Sequence, residues 1–254
     1  MTDPAHNILK GRPARLYVLD YGLFQVHANN RIIGICGFLV QTDANEAILI
    51  DGGFPAHYLD DINAASAADN LATFGTILSL TPENRPAAQL AKAGIIPDDI
   101  THLILTHGHI DHIGALNDFP QAPLLTSATE RALPQPLYFG SIRPINWPNR
   151  ETITLAGDTQ IGPGFTILMA PGHTPGQIAM LLDMPQTGPV LLTSDAISRP
   201  AEITEGFDTA PDPATAQASA ARLMQLANDH SAHILYGHCP DQWPTLKKAP
   251  DFFD

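Results

Sequence analysis

Apolar runs of strand length alternate along this chain with glycine, proline and polar punctuation. Residues 15–26 carry Leu16, Tyr17, Val18, Leu19, Phe24 and Val26, residues 32–40 form a second run, and residues 47–50 a third. Each predicts a strand. Between Pro55 and Pro97 the spacing turns helical: Tyr58, Ile62 and Ala65 are followed by Leu71, Phe74, Ile77 and Leu78. A second helix is expected over 86–93, stopping at Gly94. Leu103, Ile104 and Leu105 read as a buried strand, with a short helix beginning near Ile113. The second half repeats the rhythm, with strands over 123–125, 165–170, 177–182, 190–193 and 233–236 and a helix over 127–133. Asp212 caps and Pro213 starts a helix whose inward face is Ala216, Ala220, Leu223 and Ala227. Strands interleaved with helices predict an α/β fold, with residues 1–254 as a single domain.

Polar residues collect where the strands end. The buried run at 103–105 leads into Thr106-His107-Gly108-His109-Ile110-Asp111-His112. Histidines at i and i+2 in an extended turn can aim their rings at one centre, and Asp111 and His112 can face a second centre beside it. A solvated histidine-rich loop would explain this stretch alone. It would not explain why three further apolar runs deliver His173, Asp195 and His238 in the same way. Asp51, at the tip of the third run and ahead of Gly52-Gly53, could orient a metal-bound histidine, or be a plain turn aspartate. Imidazole and carboxylate donors suit zinc, and tolerate iron, cobalt or manganese. Two such ions side by side can activate water and polarise an ester carbonyl, with Asp111 placed as the catalytic carboxylate that moves a proton.

Composition narrows the partners. The 26 acidic residues against 13 basic ones give a net charge of −13, which repels phosphate backbones and anionic lipid and so excludes nucleic acid and membrane surfaces as expected partners. Cys36 and Cys239 are too few for a disulfide framework. The first ten residues lack a signal peptide's apolar core and no run is long enough to span a bilayer, so the cytoplasm is the expected location. The passage from Pro134 to Pro148 is rich in proline and aromatic residues. Its Tyr138, Phe139 and Trp147 read as a lid over a pocket or as ordinary loop packing, with the lid favoured because long loops in compact domains tend to be functional.

The segments T-H-G-H-I-D-H-I-G, A-P-G-H-T-P-G, S-D-A and Y-G-H, in this order, resemble the metallo-β-lactamase superfamily. The resemblance implies an αββα sandwich, two mixed sheets face to face with helices on the outer faces. It also implies His107, His109 and His173 on one metal, Asp111, His112 and His238 on the other, and Asp195 bridging. The terminal passage from Gly237 to Asp254 is similar to the N-acyl homoserine lactonases, which implies a lactone substrate, two divalent ions (zinc foremost) and a homodimer. Leu71, Phe74, Ile77, Tyr138 and Trp147 are the candidates for holding an acyl chain. Thioester, β-lactam or phosphotriester hydrolysis are the alternatives within the superfamily, and a mononuclear-iron oxidoreductase of the persulfide dioxygenase kind is the alternative outside hydrolysis. One departure stands out: those lactonases commonly carry tyrosine three residues after the bridging aspartate, where this chain has Ser198.

Overall fold

The computed structural model describes residues 8–138 and 142–254. Its strands are β1 (Pro13–Val26), β2 (Ile32–Thr42), β3 (Ala47–Ile50), β4 (Gly75–Ser79), β5 (Ile100–Ile104), β6 (Leu124–Ser127), β7 (Thr152–Leu155), β8 (Thr159–Gly162), β9 (Phe165–Met169), β10 (Ile178–Met184), β11 (Gly188–Ser194) and β12 (His233–Tyr236). Among the described residues they form a seven-stranded sheet in the order β4-β1-β2-β3-β5-β6-β7 and a five-stranded sheet in the order β12-β11-β10-β9-β8. Both are mixed: in the first, β1, β2 and β3 pair antiparallel whereas β3, β5, β6 and β7 run parallel, and in the second, β8 to β11 pair antiparallel whereas β11 and β12 run parallel.

The strand runs are apolar on both faces because each sheet is covered on both sides. In β1, Leu16 and Val18 point into the space between the sheets, while Tyr17, Leu19 and Tyr21 pack outward with Ala65 of α1 (Ile62–Ala68) and Leu90 of α2 (Pro86–Lys92). The five-stranded sheet repeats this two-residue alternation. Val190 and Leu192 of β11 face inward, and Leu191 faces outward, where it packs with the Ala216, Ala220, Leu223 and Ala227 face of α5 (Pro213–His230). Short helices α3 (Ala128–Arg131) and α4 (Ala201–Glu205) complete the αββα order. Asp212 caps α5 by accepting from Thr215 N.

Two expected helices are absent. Residues 75–79 form β4, not a helix, because the 14-residue β1 offers a free edge and its outer end, Leu23 to Val26, pairs with β4 antiparallel. Thr76 and Leu78 are exposed and Ile77 is buried, the period of a strand. Near Ile113 the chain makes a series of turns, with Leu116 N on Ile113 O and Asp118 N on Ala115 O. A helix cannot propagate there because the loop after β3 takes its backbone groups: His112 O accepts from Gly52 N and Gly114 N donates to Gly53 O. Strands β7 and β8 each carry too few apolar residues to stand out in the pattern.

Candidate metal centre

The ends of β5, β9, β11 and β12 converge at one edge of the sandwich. The loop after β5 brings His107, His109, Asp111 and His112; the turn between β9 and β10 brings His173; and the residues just past β11 and β12 bring Asp195 and His238. They fall into two clusters. Ligand atoms of His107, His109, His173 and Asp195 lie within 4.8 Å of one another, as do those of Asp111, His112 and His238. Asp195 joins the two through its separate oxygens. Oδ2 is 3.3 Å from His173 Nε2 and 3.9 Å from His107 Nε2, whereas Oδ1 is 3.2 Å from His238 Nε2 and 3.6 Å from His112 Nε2. Asp111 Oδ2 lies 3.4 Å from His238 Nε2 and 3.6 Å from His112 Nε2.

Backbone and hydroxyl groups hold these side chains from behind. Asp51 accepts from Thr106 N (2.9 Å) and Thr106 Oγ1 (2.7 Å), and its Oδ2 meets His112 Nδ1 at 2.8 Å. Thr106 Oγ1 in turn accepts from Ser194 Oγ at 3.0 Å, and His238 Nδ1 donates to Gly34 O at 2.9 Å. Asp51 and Ser194 sit at φ 59° and 45°, backbone that L residues seldom adopt and that tends to persist where function fixes it. Sequence reasoning missed Glu130. Its buried carboxylate accepts from Gly108 N (2.9 Å), Thr174 Oγ1 (3.1 Å) and Gly176 N (3.2 Å), fastening the His107–His109 loop to the His173 turn.

Electrostatics divides the two clusters. Burial, reinforced by neighbouring imidazoles, depresses His107, His109 and His173, which stay neutral and ready to donate lone pairs. Burial acts the same way on His112 and His238, but carboxylates overcome it. Asp111, Asp51 and Asp195 raise His112 to about 10, and Asp195 and Asp111 raise His238 to about 9. Burial would likewise raise Asp195, yet His238 and His112 hold its carboxyl well below the usual range. This is a site whose negative charge asks for cations, and a metal ion bound beside His112 and His238 would displace protons from their rings. Fully buried His107 Nε2 and His112 Nε2 have no hydrogen-bond partner, which orphaned ring nitrogens aimed at a metal explain and ordinary core histidines do not. The residues therefore fit a dinuclear centre.

Above the clusters opens a cleft of about 530 Å³. Leu71 and Phe74 line it together with His109, Asp111, Asp195 and His238. Ile77, Tyr138 and Trp147 are not among its lining residues. Ile77 stands beside Phe24 in the β1–β4 register and is buried in the core, and Tyr138 is buried in the same cluster. The Trp147 indole turns back to donate to Leu133 O at 2.7 Å, with Arg131 over its ring. Tyr138 and Trp147, the described aromatics of this passage, thus pack against the core; Phe139 lies outside the described residues. Ser198 does line the cleft, with its backbone N on Glu202 Oε2 at 2.7 Å.

Two stacked mixed sheets with outer helices and a seven-residue His/Asp centre at one edge define a dinuclear metalloprotein of the αββα class. The chain belongs to the metallo-beta-lactamase superfamily, which it matches over residues 36–238. It is 30% identical over 223 residues to the N-acyl homoserine lactonase AiiA of Bacillus thuringiensis subsp. kurstaki, covering 85% of each chain. It is 32% identical over 187 residues to the N-acyl homoserine lactonase AttM of Azorhizobium caulinodans, covering 66% of this chain and 68% of the relative. In structure it resembles an N-acyl homoserine lactone hydrolase solved with N-hexanoyl-L-homoserine at its catalytic metal centre, with a TM-score of 0.81, 25% identity, and coverage of 95% of this chain and 100% of the other.

Proposed function

We propose that this protein is a metal-dependent hydrolase that opens the ester ring of N-acyl homoserine lactones, acting as a single domain. The observation that carries the reading is Asp195, whose two oxygens face different His clusters at the floor of an apolar cleft. His107, His109 and His173 would hold one ion, Asp111, His112 and His238 the other, and Asp195 both. Divalent ions bound there would lower the pKa of a water toward neutrality and polarise the ester carbonyl. Asp51 locks the His112 ring so that Nε2 faces inward, and Gly34 O does the same for His238. Asp111 is 13% exposed and lines the cleft, so its carboxylate can take a proton from the water that attacks the ring carbonyl and pass it to the departing alkoxide oxygen. Leu71 and Phe74 keep water from the acyl group. Zinc suits this nitrogen- and oxygen-rich donor set, and among the described residues no helix is long and apolar enough to cross a membrane. A cytoplasmic homodimer is the setting in which we place it.

The test combines elemental analysis of the purified protein with turnover of a panel of lactones, thiolesters, β-lactams and phosphotriesters. Two ions per chain with the highest kcat/KM on acyl homoserine lactones are expected. A single iron per active chain, with no lactone turnover, would replace this reading with the mononuclear oxidoreductase.

A further inference from the structure

One cationic side chain in the cleft has no part in the metal centre. The β1–β2 hairpin turns one face toward the cleft, and the two-residue period places Phe24 and Val26 of β1 there with Ile33 of β2 and with Arg31, the residue just before β2. Phe24 pairs with Ile33, and Val26 N donates to Arg31 O at 2.9 Å, so apolar pairs line the hairpin up to the guanidinium. Arg31 is the only Lys or Arg among the described residues that line the cleft. Its Nε is buried without a hydrogen-bond partner, and among the described residues no carboxylate lies within ion-pairing distance of it. Glu202, an anion lining the same cleft, is instead engaged by Ser198 N.

A guanidinium presents five donors in a fixed fork, and leaving one facing an apolar cleft unanswered costs more than leaving it in water. An arginine that merely laid its stem over the surface would keep Nε in solvent. Its position also works as a ruler. Gly34, whose carbonyl holds His238, is three residues along the chain from Arg31, or roughly 10 Å at strand spacing. A substrate whose reacting carbonyl sits at the metal centre would therefore reach Arg31 with the outer part of its acyl chain.

Building on the lactonase reading, we propose that Arg31 binds an oxygen acceptor on the outer acyl chain, a carboxylate in preference to a ketone. The cleft would then select oxygenated acyl groups over plain alkyl ones of equal length. Phe24, Ile33 and Leu71 hold the methylene part, and the guanidinium supplies the one polar contact that a plain chain cannot use.

The experiment measures kcat/KM of the metal-loaded full chain on three lactones of matched chain length, bearing an alkyl, a keto or a terminal carboxylate acyl group. In Arg31→Met the carboxylate-over-alkyl ratio is expected to fall about tenfold or more, with Arg31→Lys intermediate and the keto-over-alkyl ratio less affected. A ratio that stays within about twofold of wild type, or one that moves only for the ketone, would overturn the proposal. If wild type opens none of the lactones, calorimetric binding of the corresponding ring-free acyl amides separates the two ideas. About tenfold tighter binding of the carboxylate amide, lost in Arg31→Met, keeps the Arg31 site while the lactonase reading falls; equal binding rejects the site as well.

Discussion

Asp51 shows how one side chain can set the chemistry of another. Its carboxylate takes two bonds from Thr106 and one contact from His112 Nδ1, so the imidazole is fixed with Nε2 toward the second cluster. Asp51→Asn keeps the size but removes the charge, and the amide can present a donor where Nδ1 expects an acceptor. We expect affinity for the second ion to fall about 10- to 100-fold, as loss of such outer partners does, while the first ion stays bound. A competitive chelator titration resolves the two steps, and unchanged affinities at both would show that His112 is oriented without Asp51. Asp111→Asn probes a different role. Removal of its basicity is expected to lower lactone kcat by about 10² to 10⁴. Turnover must be compared at full metal occupancy, and near-native rates with both ions present would rule Asp111 out as the proton carrier.

Elements, not single residues, decide whether the two clusters stay together. Glu130 in α3 reaches Gly108 between two histidines and Thr174 and Gly176 just beyond a third, so one carboxylate joins the loop after β5 to the turn after β9. Both glycines are required by closeness: a Cβ on Gly108 would come within 2.4 Å of Leu137 N, and one on Gly176 within 2.4 Å of Glu130 N. Glu130→Ala would strand two buried N–H groups, and the expected loss is about 1–3 kcal/mol in denaturant unfolding. Glu130→Gln, which keeps the volume and one acceptor oxygen, should lose less; equal losses in the two would mean that neither the volume nor the remaining acceptor contributes and that the intact carboxylate is what counts.

This element also marks the limit of what could be read in the sequence. Ser127 and Glu130 spell a capping box, and Ser127 does cap by accepting from Glu130 N at 3.0 Å, but the carboxylate leaves its own helix for partners more than twenty residues away in either direction. The candidate ligands are legible because each follows an apolar run that alternates between two cores, a purely local signal. The β4 strand is not, since its partner is the far end of β1 and its apolar residues also satisfy a helical spacing. The aromatic loop is ambiguous for a related reason. Tyr138 and Trp147 in a proline-rich stretch look alike whether they cover a cleft or are packed against the core, and only their distant contacts decide.

Across the whole molecule, each cluster draws on both sheets. His107 and His109 from the seven-stranded sheet meet His173 and Asp195 from the five-stranded one, and Asp111 and His112 meet His238 across the same divide. Bound ions would thus pin the open edge of the sandwich and offset part of the repulsion within a chain of net charge −13. Since the ligands come together only when both sheets are docked, the folded chain binds metal far better than the unfolded chain, and binding free energy becomes folding free energy. One site held at a free-metal concentration 100 times its Kd would add about 2.7 kcal/mol, and a chain of this size gains about 2–4 °C in Tm per kcal/mol. Stripping both ions with a chelator is therefore expected to lower Tm by roughly 10 °C or more, and restoring metal to recover it. His238→Ala should lose only the share of the second ion, because the other cluster keeps all four of its donors across the sheets. Differential scanning calorimetry of loaded, chelated and reloaded protein reads this directly. A Tm unmoved by chelation, with metal loss verified by elemental analysis, would mean that the apolar interior alone holds the two sheets together and that the centre contributes to chemistry without stabilising the fold.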